Sequence, residues 1–136
     1  MISIFEIFKI GIGPSSSHTV GPMKAAKMFV DYIDSIKSIE KIERIFITFY
    51  GSLSSTGEGH GTVLATELGL EGYDAESVDP TKIKDIIKEI DDKEEIDLLR
   101  KHKIKFSKKS SMNFIDKELP YHPNAMEITA FDKKDN

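Results

Sequence analysis

Three of the four histidines lie in segments built from turn-forming and hydroxyl residues. His18 stands in Ser-Ser-Ser-His-Thr, His60 in Gly-Glu-Gly-His-Gly-Thr and His122 in Leu-Pro-Tyr-His-Pro-Asn. Imidazole exchanges protons near neutral pH, and loops carry functional groups more often than cores do. His60, His18 and His122 are therefore the candidate proton-transfer residues, in that order because glycines flank His60 and leave it accessible. A histidine taken alone is more often structural, and the shared surroundings are what set these three apart. His102, within Arg-Lys-His-Lys, reads as merely solvated.

The serine run has its own chemistry. Hydroxyls and free backbone N–H groups at a helix start form a seat for a carboxylate or phosphate, which makes Ser15, Ser16, Ser17 and Thr19 candidate substrate contacts. Plain helix capping needs one serine, and a run of three exceeds that need. Gly57, Gly59 and Gly61 permit close approach of a ligand to the backbone, or simply make a tight strand-to-helix turn; Gly59 and Gly61 are taken as candidate substrate contacts. Thr62 and Asn124, at the ends of the second and third segments, join the candidate substrate-binding residues.

Other chemistries find no support. The glycine loop lacks the Gly-Lys-Ser/Thr ending of a P-loop and the dinucleotide spacing. No Gly-x-Ser-x-Gly elbow is present. Histidines so far apart in sequence show no zinc-ligand spacing, and no metal ligand is assigned. With zero cysteines, the chain by itself can form neither a disulfide nor a thiolate-held iron-sulfur cluster.

These segments need elements to hold them. Apolar Met23, Ala26, Phe29, Val30 and Ile33 follow helical spacing after Pro22, and this helix should fade near Ser35 to Ser38. Arg44 to Tyr50 is β-branched and aromatic, bounded by Gly51, and reads as a buried strand. A second helix runs through Val63, Leu64, Thr66, Glu67 and Leu68, with Gly69 expected to stop it. Asp79-Pro80-Thr81 starts a third, whose Ile83, Ile86, Ile87 and Ile90 form a core stripe. A short helix around Glu94 to Leu99 and a strand near Ile104 to Phe106 follow. Met112 to Ile115 and Met126 to Phe131 alternate like half-buried strands, and a long hairpin is expected to join them. Met1 to Ile10 reads as an ordered first element. The expectation is one domain over residues 1–136, an α+β fold with a mixed sheet layered with helices.

Composition sets the outer bounds. A chain of 136 residues with 39% hydrophobic and 31% charged residues is that of a globular protein. Its apolar stretches fall short of the ~20 residues of a spanning helix, so no membrane role is expected. A net charge of −4 speaks against nucleic-acid binding. The lysines at 101, 103, 105, 108 and 109 read as a solvated edge. Met1 to Ile10 fits a secretory leader poorly, which leaves the cytoplasm as the expected compartment.

Residues Ile2 to Met23, with their Gly-Ile-Gly-Pro-Ser-Ser-Ser-His-Thr-Val-Gly-Pro core, closely resemble the opening of bacterial iron-sulfur-dependent L-serine dehydratases. Gly51 to Thr62 and Leu119 to Asn124 resemble that family's next two signatures, in the same order, and the similarity extends over essentially the whole chain. The resemblance implies the beta portion of such a lyase, with a fold similar to the allosteric substrate-binding domain of phosphoglycerate dehydrogenases. It implies a larger alpha portion, domain or subunit, that holds a 4Fe-4S cluster and completes a site converting L-serine to pyruvate and ammonia. No alpha portion is present in this sequence. The fragment is accordingly expected to be inactive alone, and the surface it would turn to the alpha portion could pair two copies into a homodimer. A non-catalytic amino-acid-binding regulatory module is the alternative.

Overall fold

The computed structural model describes residues 2–11, 20–51, 61–117 and 124–133, of which 2–11, 20, 124 and 133 are described as backbone. Four strands make the main sheet: β1 (Ile2–Gly11), β2 (Ile42–Gly51), β5 (Met112–Ile115) and β6 (Asn124–Lys133). Their order is β1-β6-β2-β5. Between β1 and β2 runs α1 (Val20–Ser35), and after β2 come α2 (Gly61–Leu70) and α3 (Ile83–Lys93). A separate hairpin pairs β3 (Glu95–Leu98) with β4 (His102–Lys105), and the four-residue α4 (Lys108–Ser111) leads into β5. Helices with a mixed sheet make this an α+β fold.

The alternation of β2 sets which face is apolar. Ile45, Ile47 and Phe49 are at most 1% exposed, and their partners across the antiparallel ladder are Ala130, Ile128 and Met126, each 0% exposed. This cross-strand apolar row is the unit that stabilises a sheet. Phe29, Val30 and Ile33 of α1 join the same core cluster. All five α1 residues expected to be apolar contacts are buried. On the parallel side, Phe49 and Phe114 are register partners whose rings stack at 5.1 Å.

The expected hairpin between Met112–Ile115 and Met126–Phe131 does not form. β6 lies between β1 and β2, antiparallel to both, while β5 pairs in parallel with the outer edge of β2. Period-two alternation identifies a strand but carries no information about its neighbour.

Gly69 does not stop α2, which continues through it to Leu70. A Cβ at Gly69 would stand 2.3 Å from the Met23 carbonyl oxygen and 2.8 Å from the Ala26 Cβ. The glycine therefore lets α1 and α2 touch backbone to backbone. The actual stop is Gly72, at φ 91°, where Gly72 N–H donates to Gly69 C=O and Tyr73 N–H to Leu68 C=O, the paired bonds of a Schellman cap.

The helix expected over Glu94 to Leu99 is instead strand β3. Its turn places Leu99 and Arg100 at φ 51° and 56°, closed by Lys101 N–H to Leu98 C=O. That is type I′ geometry, for which Asn-Gly is the usual signal. Tertiary contacts hold the turn in place of turn-forming residues: Leu99 N–H donates to Leu70 C=O, and the Arg100 guanidinium lies 4.3 Å from the Tyr73 ring centre. The Asp79-Pro80-Thr81 signal opens a 3-10 turn, Pro80–Lys82, in which Asp79 Oδ1 accepts from Thr81 N–H at 3.0 Å, and this turn leads directly into α3 at Ile83.

Candidate active-site face and the buried acid behind it

Strand direction decides which loops share a face. β1, β2 and β5 run the same way and β6 runs against them, so the C-terminal ends of the first three and the N-terminal end of β6 share one edge. Gly11 of β1 pairs with Ala125, and Gly51 of β2 pairs with Asn124. Gly11 and Gly51 therefore flank β6, about 10 Å apart by two strand spacings. Past β5, the Lys117 carbonyl accepts the Gly51 N–H at 3.1 Å, drawing that chain to the same corner. The segments 12–19, 52–60 and 118–123 each attach at this edge, and they contain His18, His60 and His122.

Ser15, Ser16, Ser17, His18, Thr19, Gly59, His60 and His122 lie outside the described residues. Gly61 and Thr62 open α2, and Asn124 opens β6 as backbone. Thr62 is fully buried, and its carbonyl accepts the Thr66 hydroxyl at 2.8 Å. Gly51, at φ 64° and buried, adopts the left-handed turn that only glycine takes without strain, and so releases the chain sharply from β2.

His102 departs from its reading as a solvated residue. It is half-buried, and its Nε2 lies 2.7 Å from the Ile42 carbonyl oxygen, tying the β3–β4 hairpin to the start of β2. The lysine run does largely face solvent, though Lys101 reaches Asp34 at 2.8 Å and Lys108 reaches Asp91 at 3.2 Å.

Glu67, on α2, lies outside the motifs that mark the candidate residues. It is 0% exposed, and neither carboxyl oxygen has a hydrogen-bond partner. Lys108 Nζ stands 3.8 Å from Oε1, outside hydrogen-bonding range and held instead by Asp91. Burial is the main force pushing the carboxyl up to about 8; Lys108 opposes it, and Asp91 and Glu71 add to it. Glu71, one turn on, is also pushed up by burial, against the opposing pull of the Asp97 N–H bonded to it at 2.9 Å. A lone acid in Val63 to Leu70, where Thr66 is the one other polar side chain, was the available signal, because a helix apolar nearly all round is a buried one.

No group of three or more His, Cys, Asp or Glu among the described residues could hold a metal ion. With no cysteine anywhere in the sequence, the chain offers no thiolate for an iron-sulfur cluster, so the donor set does not fit that cofactor. Among the described residues no helix is long and apolar enough to cross a membrane.

The family model for the serine dehydratase beta chain matches residues 3–136. This chain belongs to that family. Over 132 residues, 96% of its length, it is 43% identical to L-serine dehydratase 1 of Escherichia coli (strain K12), of which the match covers 29%. A match of the same extent to the L-serine dehydratase of Streptomyces coelicolor shows 44% identity and covers 29% of that protein. The Haemophilus influenzae L-serine dehydratase is 43% identical over 134 residues, 98% of this chain and 30% of that protein. This serine dehydratase beta chain thus spans about three-tenths of the length of the curated relatives it matches.

Proposed function

We propose that this chain is the beta portion of an iron-sulfur-dependent L-serine dehydratase, contributing substrate-positioning and proton-transfer residues to a site that a larger alpha portion completes. The observation that carries the reading is topological. Three histidine-bearing segments, distant in sequence, attach to neighbouring strand ends at one edge of one sheet. Relatives matched over nearly this whole chain are named L-serine dehydratase.

In this scheme the hydroxyls and N–H groups from Ser15 to Thr19 hold the serine carboxylate, next to the start of α1. Gly61 and Thr62 open α2, Gly59 precedes them by two residues in sequence, and Asn124 opens β6. One of His60, His18 and His122 accepts the α proton, and the others orient the substrate or return a proton. Loss of the β hydroxyl as water leaves aminoacrylate, which hydrolyses to pyruvate and ammonia. The cluster belongs to the alpha portion, since this chain has no cysteine to ligate it.

The test is complementation. The purified chain should form no pyruvate from L-serine, and adding the separately produced, cluster-loaded alpha portion of a relative should restore turnover. Pyruvate formation by the chain alone would overturn the division of labour, and no turnover from a demonstrably assembled pair would overturn the assignment.

A further inference from the structure

Helices α1 and α3 present different sides to solvent. Every exposed position within α3 is charged, and its pairs Lys88–Asp92 and Glu89–Lys93 close at 2.9 and 2.8 Å. That is the usual outer face of a surface helix. Helix α1 likewise places one apolar side in the core, through Phe29, Val30 and Ile33. Its outward side, however, carries Met28 and Tyr32, each 46% exposed, and Ile36 just past its end is 43% exposed. These three are the exposed large hydrophobic side chains among the described residues. Ile36 N–H still donates to the Tyr32 carbonyl at 3.2 Å, so all three follow one helical course.

Steps of four residues set Met28, Tyr32 and Ile36 on one ridge, about 12 Å long at the helical rise per residue. Beside it, Lys27 and Asp31 pair with each other at 2.8 Å, so neither charge opposes an apolar partner. Three large side chains near half exposure present on the order of 300 Å² of surface, the size at which an exposed patch marks an interaction site.

We propose that the alpha portion docks on this ridge, with one of its amphipathic helices packed against Met28, Tyr32 and Ile36; the inference rests on the two-part reading of the function given above. Ridges of side chains four residues apart fit the grooves of a second helix, the commonest helix–helix geometry. Size selects the occupant. An interface between separate copies needs about 800 Å² per partner, well above what the ridge offers by itself. The relatives carry about seven-tenths of their length outside the matched region, more than twice the length of this chain. In them that remainder belongs to the same polypeptide, and a modest patch suffices at the resulting effective concentration. Position agrees with size. Helix α1 follows segment 12–19 at the candidate edge, and Met28 lies about 12 Å along it from Val20. A partner that completes the site at that edge reaches the ridge by extending along one helix.

The experiment titrates this chain with the separately produced, cluster-loaded alpha portion of a relative, following association by calorimetry and pyruvate formation in parallel. Met28→Gln, Tyr32→Gln and Ile36→Gln combined should raise the dissociation constant roughly 30-fold or more, with turnover at saturating alpha portion unchanged. Lys88→Gln, on the outer face of α3, should alter neither. Exposed substitutions of this kind disturb stability little, and urea unfolding verifies it. Should the triple variant unfold, Met28→Gln alone decides, with an expected weakening of roughly fivefold. An unchanged dissociation constant, or no association of the unaltered chain, overturns the docking surface. Sedimentation that shows the unaltered chain dimeric and the triple variant monomeric assigns the ridge to a second copy and also overturns it. A pair that associates, is weakened by the substitutions and forms no pyruvate supports the surface while contradicting the catalytic reading, so the two failures are distinguishable.

Discussion

Replacing Gly69 with alanine tests whether the contact between α1 and α2 sets the position of the candidate face. The added methyl would meet the Met23 carbonyl oxygen at 2.3 Å and the Ala26 Cβ at 2.8 Å, where carbon contacts are comfortable at about 3.5–4.0 Å. The first obstacle is backbone and cannot swing aside, so the helices must separate by roughly 1 Å. Overpacking costs about 1–3 kcal/mol, and an unyielding backbone obstacle puts this case in the upper part of that range, about 2–3 kcal/mol, of which the better helix propensity of alanine returns about 0.8–1 kcal/mol. The expected net is a loss of about 1–2 kcal/mol, read as a urea midpoint lower by roughly 0.5–1 M for a chain of this size. Helix α1 follows segment 12–19 and α2 follows 52–60, so the same separation moves the two helix starts that carry the candidate residues. Turnover in the complemented enzyme should therefore fall further than stability alone explains. A Gly69→Ala chain as stable as the original, or more so, would refute the backbone contact.

Two further outcomes follow from single residues. Glu67 ionises near 4.5 when unfolded and near 8 when folded, so its contribution to stability is full below about pH 4.5 and is lost as pH rises through about 8. The loss by pH 7 is about 3 kcal/mol. Urea unfolding should show Glu67→Gln with a shallower decline from pH 5 to 8, keeping the part due to Glu71, whose shift has the same sign; parallel declines would contradict the buried acid. His102→Ala should cost about 1–2 kcal/mol by removing the bond to Ile42, without changing turnover in the complemented enzyme. Unchanged thermal stability would show that the hairpin needs no such tie.

What the residues revealed and what they hid divide along physical lines. α1, β2 and the start of α3 follow from local rules, namely helical spacing from Met23 to Ile33, β-branched density before Gly51, and Asp79 capping its own turn. The errors arise where a partner decides. Gly69 looked like a terminator because the contact that requires it lies on another helix, and the true cap came three residues later at Gly72. Leu99-Arg100 gave no turn signal because Leu70 and Tyr73 supply the restraint that Asn-Gly would supply locally. The place of β6 between β1 and β2 depends on pairing that alternation does not encode. For the candidate site, the three segments were legible as motifs, while their attachment to one sheet edge needed the strand order. Glu67 was visible as an acid in an apolar helix, but its lack of a hydrogen-bond partner was not.

The most direct measurement is steady-state pyruvate formation by the complemented enzyme carrying His18→Ala, His60→Ala or His122→Ala, with His102→Ala as the control outside the candidate face. Each of the first three should lower kcat/KM by about 100-fold or more, the scale of a lost proton-transfer or orienting group, with assembly intact by size-exclusion chromatography. Near-full activity in any two of them would show that these segments do not share one serine site.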